Sequence, residues 1–529
     1  MSYPDPPNQP SWVPPGPPTG GQPVGQPGYP MGMGAPQPPQ YAAPRKNRIW
    51  MVPVAAGLGV ALMASTVWAA NSVVGDWFGG PQPESVLPAS SIAFAKLDMK
   101  PSGGQLANYA QLVNKLPDEV KDEIDPATAT NPARDIVEKE FEYLDYEHDV
   151  EPWLGKRFGF AMWESDAEAA QISRDGTTAA FALAVTDEDA ARKALQKVEA
   201  KEGMAFEFRN DFAIIAPNGA AISDLDQQVA TGGTLDGQAD FSSDMAGIGG
   251  DTLATAWMDF GELSRLESRP SSRGGFGSGR SGNPFQELTG GEDVEGRVAL
   301  SLKLESDYVE LRGDMFGVKS GDSLEGFEAP EPGLEAMSSL PNDTVMAVGG
   351  SGLDSLMEQV WKENPDEFGE FEDALQEEGA SLPEGFTQLL GSKSAFGITD
   401  VQGSFDEVFD SDFSFQFRAT GADGDLLESL AEQLSAGTYG PTPGVNEDGD
   451  AVVVSSGAMG TGKLGDDAVF TKVMEGTEDS HVGFYFDLRQ LSSSGDMSQP
   501  EQWGAFGAAM NFDGSSGTVL ARWAPSADA

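Results

Sequence analysis

Leu87-Pro88-Ala89-Ser90-Ser91-Ile92-Ala93-Phe94 and Leu340-Pro341-Asn342-Asp343-Thr344-Val345-Met346-Ala347 are one phrase written twice. Downstream of each copy, further landmarks recur in the same order. A helical stretch contains Pro117-Asp118-Glu119 in the first copy and Pro365-Asp366-Glu367 in the second. Then come Leu154-Gly155-Lys156-Arg157-Phe158-Gly159 and Leu390-Gly391-Ser392-Lys393-Ser394-Ala395-Phe396-Gly397. A strand and helix at 177–198 answer those at 411–434. A strand pair, Phe206 to Ile215 around Asn210-Asp211, answers the run Ala451 to Ser455 after Asp448-Gly449-Asp450. Leu235-x-x-x-Ala239-x-Phe241 pairs with Leu464-x-x-x-Ala468-x-Phe470, and 252–263 with 481–491. An ordered set of landmarks at long spacing is the mark of an internal duplication. The spacing predicts two related modules, at 87–317 and 334–526, joined by a linker at 318–333.

Within each module, short β-rich runs bounded by Gly, Asn and Asp read as strands. Amphipathic helices lie between them. Ala190, Ala194, Leu195 and Val198 share one face in the first module, and Leu426, Leu427, Leu430 and Leu434 do so in the second. Thr186 stands before the first of these helices, with Asp187, Glu188 and Asp189 in its first turn, where carboxylates suit the helix dipole. Asp259 with Glu262, and Asp487 with Gln490, have the spacing of an N-cap and its partner. The expected fold class is α+β: mainly antiparallel sheet with helices packed on one side, preceded by a disordered tail and one transmembrane helix.

The tail is residues 1–48, of which 1–44 hold 15 prolines and almost no aliphatic side chain. Such a segment cannot bury enough apolar surface to offset the entropy of ordering. Pro38-Pro39-Gln40-Tyr41 matches the PPxY form read by WW-type grooves, in a stretch where prolines make chance matches common. Ile49 to Ala70 then runs 22 residues without a charge, behind Arg45, Lys46 and Arg48. As a helix it would measure about 33 Å, enough for a hydrocarbon core of roughly 30 Å. The leading bases place the N-terminus in the cytoplasm, so that a linker at 71–86 and both modules stand outside. A cleaved signal peptide is the rival reading, from Val67-Trp68-Ala69, but the apolar run is longer than an ordinary h-region. Ala55 and Gly59 have the small-xxx-small spacing that brings two spans together, which leaves the oligomeric state open.

From residue 71 on, 83 Asp and Glu face 29 Lys and Arg, a net charge of −54. Such a surface repels other anions, and nucleic acid is not an expected partner. The expected partners are the lipid bilayer, through 49–70, and an envelope protein or wall polymer. The chain has no cysteine, hence no disulfide, thiolate metal site or cysteine nucleophile. Its two histidines, His148 and His481, leave little for a triad or a zinc site.

This layout resembles an uncharacterised actinobacterial group of membrane proteins catalogued as domain of unknown function 3352. The likeness rests on the Pro/Gly/Gln-rich start, the single span, the L-P-x-x-[ST] strand opening and the later L-G-x-[KR]-F-type segment, and it covers nearly all of 49–526. The resemblance implies a membrane-tethered envelope protein and brings no catalytic residues to carry over.

Candidate chemistry is sparse, and no catalytic, cofactor or metal residue is assigned. Gly457-Ala458-Met459-Gly460-Thr461-Gly462-Lys463-Leu464 has the spacing of a phosphate-cradling loop, but Leu464 stands where a Ser or Thr would hold Mg²⁺. Gly349-Gly350-Ser351-Gly352 lacks the spacing of a nucleophile elbow. Asp423-Gly424-Asp425 and Glu447-Asp448-Gly449-Asp450 read as turn and cap residues rather than calcium loops. A carboxylate pair for glycoside cleavage gives no signal among so many acids. The one basic stretch in the outer part carries Arg269, Arg273, Phe276 and Arg280, extended by Arg265, with no counterpart in the second module. Arginine suits anionic groups and Phe276 adds an apolar tip, so this loop is the expected interaction element. The expectation is a non-enzymatic binding or scaffold element of the envelope. A wall-polymer enzyme and an envelope sensor acting through the tail are the alternatives.

Overall fold

In a computed structural model of the chain, the two L-P-x-x-[ST] phrases fold into the same turn. The residues described are 82–98, 103–116, 134, 137–138, 141–167, 170–172, 176–248, 252–267, 294–320, 331–363, 365–400, 414–437, 443–490, 499–513 and 515–526. In each turn the hydroxyl closes back on the proline carbonyl: Ser91 Oγ donates to Pro88 O at 2.6 Å, and Thr344 Oγ1 to Pro341 O at 2.7 Å. The leucine carbonyl ahead of each proline accepts a distant N–H, from Leu235 to Leu87 and from Leu464 to Leu340. All four leucines are buried. The motif therefore pins the first strand of each half to a turn that precedes the last three strands of that half.

The first half runs β1 (Ser91–Asp98), α1 (Gly103–Lys115), β2 (Leu154–Glu164), β3 (Thr177–Val185), α2 (Glu188–Glu202), β4 (Ala205–Arg209), β5 (Phe212–Ala216), α3 (Gly219–Gly232), α4 (Ala239–Ile248), β6 (Ala254–Asp259), α5 (Phe260–Glu267), β7 (Val294–Leu304) and β8 (Val309–Ser320). The second runs α6 (Glu335–Ser338), β9 (Met346–Ser351), α7 (Leu353–Glu363), α8 (Gly369–Glu377), α9 (Glu384–Leu390), β10 (Lys393–Asp400), β11 (Ser414–Thr420), α10 (Gly424–Gly437), β12 (Gly444–Asp448), β13 (Ala451–Ser456), α11 (Ala468–Met474), β14 (Val482–Asp487), β15 (Ala505–Asp513) and β16 (Ser516–Ala524).

All sixteen strands belong to one sheet, ordered β12-β13-β11-β10-β9-β14-β15-β16-β8-β7-β6-β1-β2-β3-β5-β4. From either outer edge inward, the two halves have the same order. The last strand of each half meets the other at the centre, where β16 and β8 pair antiparallel with Arg312 opposite Leu520. Two steps to either side of that pair, Asp314 faces Thr518 and Glu310 faces Arg522. Both flanking pairs are bonded: Thr518 Oγ1 donates to Asp314 at 2.9 Å and Arg522 Nε to Glu310 at 2.9 Å. The join thus has the pattern of a local two-fold axis.

The expected fold class is corrected in two respects. No helix among the described residues is long and apolar enough to cross a membrane. The stretch 49–70 that suggested one lies outside those residues, as do the tail 1–48 and the linker as far as 81. Helices also cover both faces of the sheet rather than one. On one face Phe94, Trp163, Ile214 and Trp257 pack with α3 and α4 through Leu225 and Phe241. On the opposite face Phe160, Phe181 and Ile215 pack with Leu195 and Val198 of α2. Large side chains of both strand parities need cover, so one layer of helices does not suffice.

Local readings shift by small steps. Asp187, not Thr186, caps α2 by accepting from Ala190 N at 3.0 Å, while Thr186 Oγ1 bonds the Trp153 carbonyl. Ala191 rather than Ala190 joins the buried face. Phe396-Gly397 corresponds to Phe160-Ala161, not Phe158-Gly159, because Ala161 faces Phe94 as Gly397 faces Ala347. Gly155 and Gly391 do correspond: each is pressed on the carbonyl at the end of the next strand, of Ala184 and Thr420 respectively. Pro365–Phe368 is a short 3-10 turn, and its expected counterpart at 117–119 lies outside the described residues.

Candidate functional site

One row of side chains crosses the middle of the sheet without a charge. Directly opposed residues of an antiparallel ladder share a face, and register carries the row from Phe417 through Phe396, Val348, Phe484, Ala508 and Ala521 to Leu311. Six strand spacings of about 4.8 Å make it about 29 Å long. Beside it, on the same face, run Met346, Phe486 and Phe506. Phe396 stacks on Phe415 at 5.7 Å, and Phe484 lies 6.3 Å from Phe506.

This face is open. Val348 keeps 41% of its surface exposed, Leu311 38% and the neighbouring Leu300 37%. The phenylalanines of the row are all partly exposed. Two of them have buried counterparts in the first half: Phe160, the equivalent of Phe396, is 2% exposed, and Phe181, the equivalent of Phe417, is 8% exposed. The difference lies in the helices. In the first half, α2 and the turn at Tyr146–Val150 pack on the strands, and α1 covers Leu302 and Leu304. In the second half, Leu375, Leu382, Phe386, Leu389 and Leu426 make a separate cluster, whose members all come from helices and the turns between them. Helices α7 to α10 bury one another, and the sheet beneath β9, β10 and β14 keeps its apolar side toward solvent. Both ladder edges of these inner strands are already paired, so a ligand here meets side chains and no free backbone hydrogen-bonding groups.

Polar clusters elsewhere serve the fold. Trp163 Nε1 donates to Asp224 at 2.8 Å, and Trp257 Nε1 to Asp244 at 2.9 Å, where Arg297 Nε also donates at 2.7 Å. Asp259 caps α5 through Glu262 N at 3.0 Å. Asp487 accepts from Arg489 N at 3.0 Å and from Gln490 Nε2 at 3.1 Å, so its backbone bond falls one residue earlier than the expected cap. Burial works against the Arg489 charge, yet its bonds to Asp487 hold it above its ordinary range. Burial also pushes the neighbouring Tyr485 hydroxyl well up, with Asp487 adding to the effect. Among the described residues no three His, Cys, Asp or Glu side chains gather as a metal site.

The motifs singled out in the sequence fall apart in space. The phosphate-loop spacing at 457–464 is a turn locked on the opening phrase: Gly462 N donates to Asn342 Oδ1 at 3.2 Å and Asn342 N to Gly462 O at 3.1 Å. It replaces α3 of the first half, and a 3-10 turn at Leu464–Asp466 follows it instead of a long helix. Its amides therefore do not converge on a helix start. Asp423 caps α10 and Asp448 pairs with Arg418 at 2.8 Å, as turn and cap residues do. His481 is buried and its Nδ1 accepts from Phe512 N at 3.1 Å, whereas His148 is exposed beside Asp145. Arg269, Arg273, Phe276 and Arg280 lie outside the described residues. Arg265, just before them, is engaged by Glu164 at 2.7 Å and by Glu262. A hollow of about 450 Å³ at the head of α7 is lined by Asp354, Ser355, Thr387 and Ser392, where Thr387 Oγ1 already donates to Asp354 at 2.9 Å.

The comparison with curated proteins found no match, and that with solved structures found none. A family model does match: residues 53–228 are similar to the family described as Protein of unknown function (DUF3352), the one that the sequence resembles.

Proposed function

We propose that this protein is a non-enzymatic binding or scaffold element of the cell envelope, and that its working surface is the apolar face that crosses its second half as far as the first strand beyond the join. The observation behind this reading is the uncharged row from Phe417 to Leu311, left open although the chain carries 84 acids that would keep an idle surface wet. Contiguous exposed apolar surface on a soluble face marks contact with a partner or ligand. Placement in the envelope rests on the family resemblance alone. A wall-polymer enzyme or a sensor has no specific feature among the described residues behind it.

The test is binding of the neutral apolar dye Nile red to the full chain, with Val348→Asp and Leu311→Asp as variants. Wild type brightens the dye and both variants lose most of the signal. Equal signal from all three proteins, with folding intact by circular dichroism, overturns the assignment.

A further inference from the structure

A second surface, apart from the row on the sheet, stands on α7. A surface helix ordinarily spends its apolar stripe on the core and is polar elsewhere. Helix α7 does more. Met357 and Trp361 pack on the helical cluster of the second half. One position back on each turn, Leu356 and Val360 point out, 45% and 37% exposed. They are four residues apart and so form one ridge. On α8, Phe371 lies against Phe386, ring centroids 6.1 Å apart and nearly parallel, and is still 36% exposed. These three are half of the large apolar side chains that the described residues expose.

The segment they belong to is strongly acidic in sequence. Residues 353–378 hold ten Asp or Glu and one base, Lys362, which is itself paired with Glu358 at 2.8 Å. An anionic lipid or nucleic acid is repelled from such a surface, and a second copy of this chain brings its own negative charge. The complement is cationic with an apolar stripe. An amphipathic helix meets both demands while satisfying its own backbone groups.

We infer that α7 forms a docking surface for a basic amphipathic helix of a partner protein, seated on Leu356 and Val360 and held by carboxylates of the acidic segment around them. Lysine or arginine on the partner's outer flanks meets the acids, and leucine-like anchors at i, i+3 or i+4 meet the ridge.

The probe is a synthetic Leu/Lys amphipathic peptide of about 18 residues, long enough to hold a helix, titrated calorimetrically into the full chain. A scrambled peptide of the same composition controls for bare charge attraction. The amphipathic peptide binds the wild type, and the Leu356→Ser/Val360→Ser double variant binds it about tenfold more weakly. Affinity of the wild type falls as salt rises. Val348→Ser on the sheet face leaves the affinity unchanged, which separates this surface from the one proposed above. Equal affinity for the double variant, equal affinity for the scrambled peptide, or a comparable loss in Val348→Ser overturns the inference. The substituted side chains are already exposed, so an unchanged melting temperature is expected.

Discussion

Replacing Arg522 by alanine should loosen the seam that joins the two halves. Its guanidinium donates to Glu310 at 2.9 Å from Nε and to the Glu475 carbonyl from Nη1. It also lies over the Tyr308 ring at 4.7 Å. Only 10% of the Arg522 side chain and 14% of the Glu310 side chain are exposed, so the pair is largely out of water. Truncation leaves Glu310 with its charge half-hidden and unpaired, a loss of about 3 kcal/mol for a buried pair broken on one side. Losing the cation–ring contact adds about 1 kcal/mol. Arg522→Ala should therefore cost about 4 kcal/mol, and Glu310→Gln, which keeps an acceptor, about 1 to 2 kcal/mol. Because the two share one contact, the double variant should fall short of the sum by about 2 kcal/mol. Urea unfolding followed by tryptophan fluorescence measures all three. A loss below about 1 kcal/mol for Arg522→Ala, the value of an ordinary surface pair, refutes the claim that this join is a dry interior contact.

Three further perturbations test other parts of the structure. Asp244→Ala leaves the buried Trp257 indole N–H without its acceptor and takes from Arg297 its shorter ion pair, with Asp240 at 3.6 Å remaining, and should cost about 2 kcal/mol in chemical denaturation. Gly391→Ala puts a Cβ into the Thr420 carbonyl at a positive φ of 60°, and a loss of about 3 kcal/mol in stability is expected by thermal melting. The exposed His148 should titrate above its ordinary 6.5, because the Asp145 side chain hydrogen-bonds its ring and adds its charge; Asp145 should titrate below 3.8 for the reciprocal reason. On the histidine side the contact is complete below pH 6.5 and fades as pH rises through the raised value; on the aspartate side it is present above pH 3.8 and fades as pH falls through the lowered one. Proton NMR of His148 in wild type and Asp145→Asn measures this, and an unshifted imidazole in both would contradict it.

The landmarks that could be read are local. Leu-Pro-x-x-Ser/Thr closes its own turn, Leu-Gly needs a residue without a Cβ, and the aspartates at 259 and 487 serve amides two or three residues on. Errors of one residue, such as Thr186 for Asp187, arose where two neighbours both carry an oxygen and only backbone geometry chooses between them. What could not be read was long-range. No pattern in β8 or β16 says that they pair with one another, since each alternates as any half-buried strand would. The open face was hidden for a related reason. Phe396 and Phe160 look alike in sequence, and one is buried while the other is partly exposed because α7 to α10 cluster with one another and α10 rests on β12 and β13. The basic loop that drew notice in the sequence, Arg269 to Arg280, falls outside the described residues, while Val348, Leu311, Leu356 and Val360 belong to none of the motifs read from the sequence.

The palindromic strand order has a consequence for how such a molecule is assembled. A chain of half this length would end on an unpaired strand whose natural complement is the same strand of a twin, turned end for end. Tandem fusion makes that twin permanent, so a meeting that would otherwise depend on concentration becomes part of the monomer, and each copy is then free to lose or rearrange the helices that the other keeps.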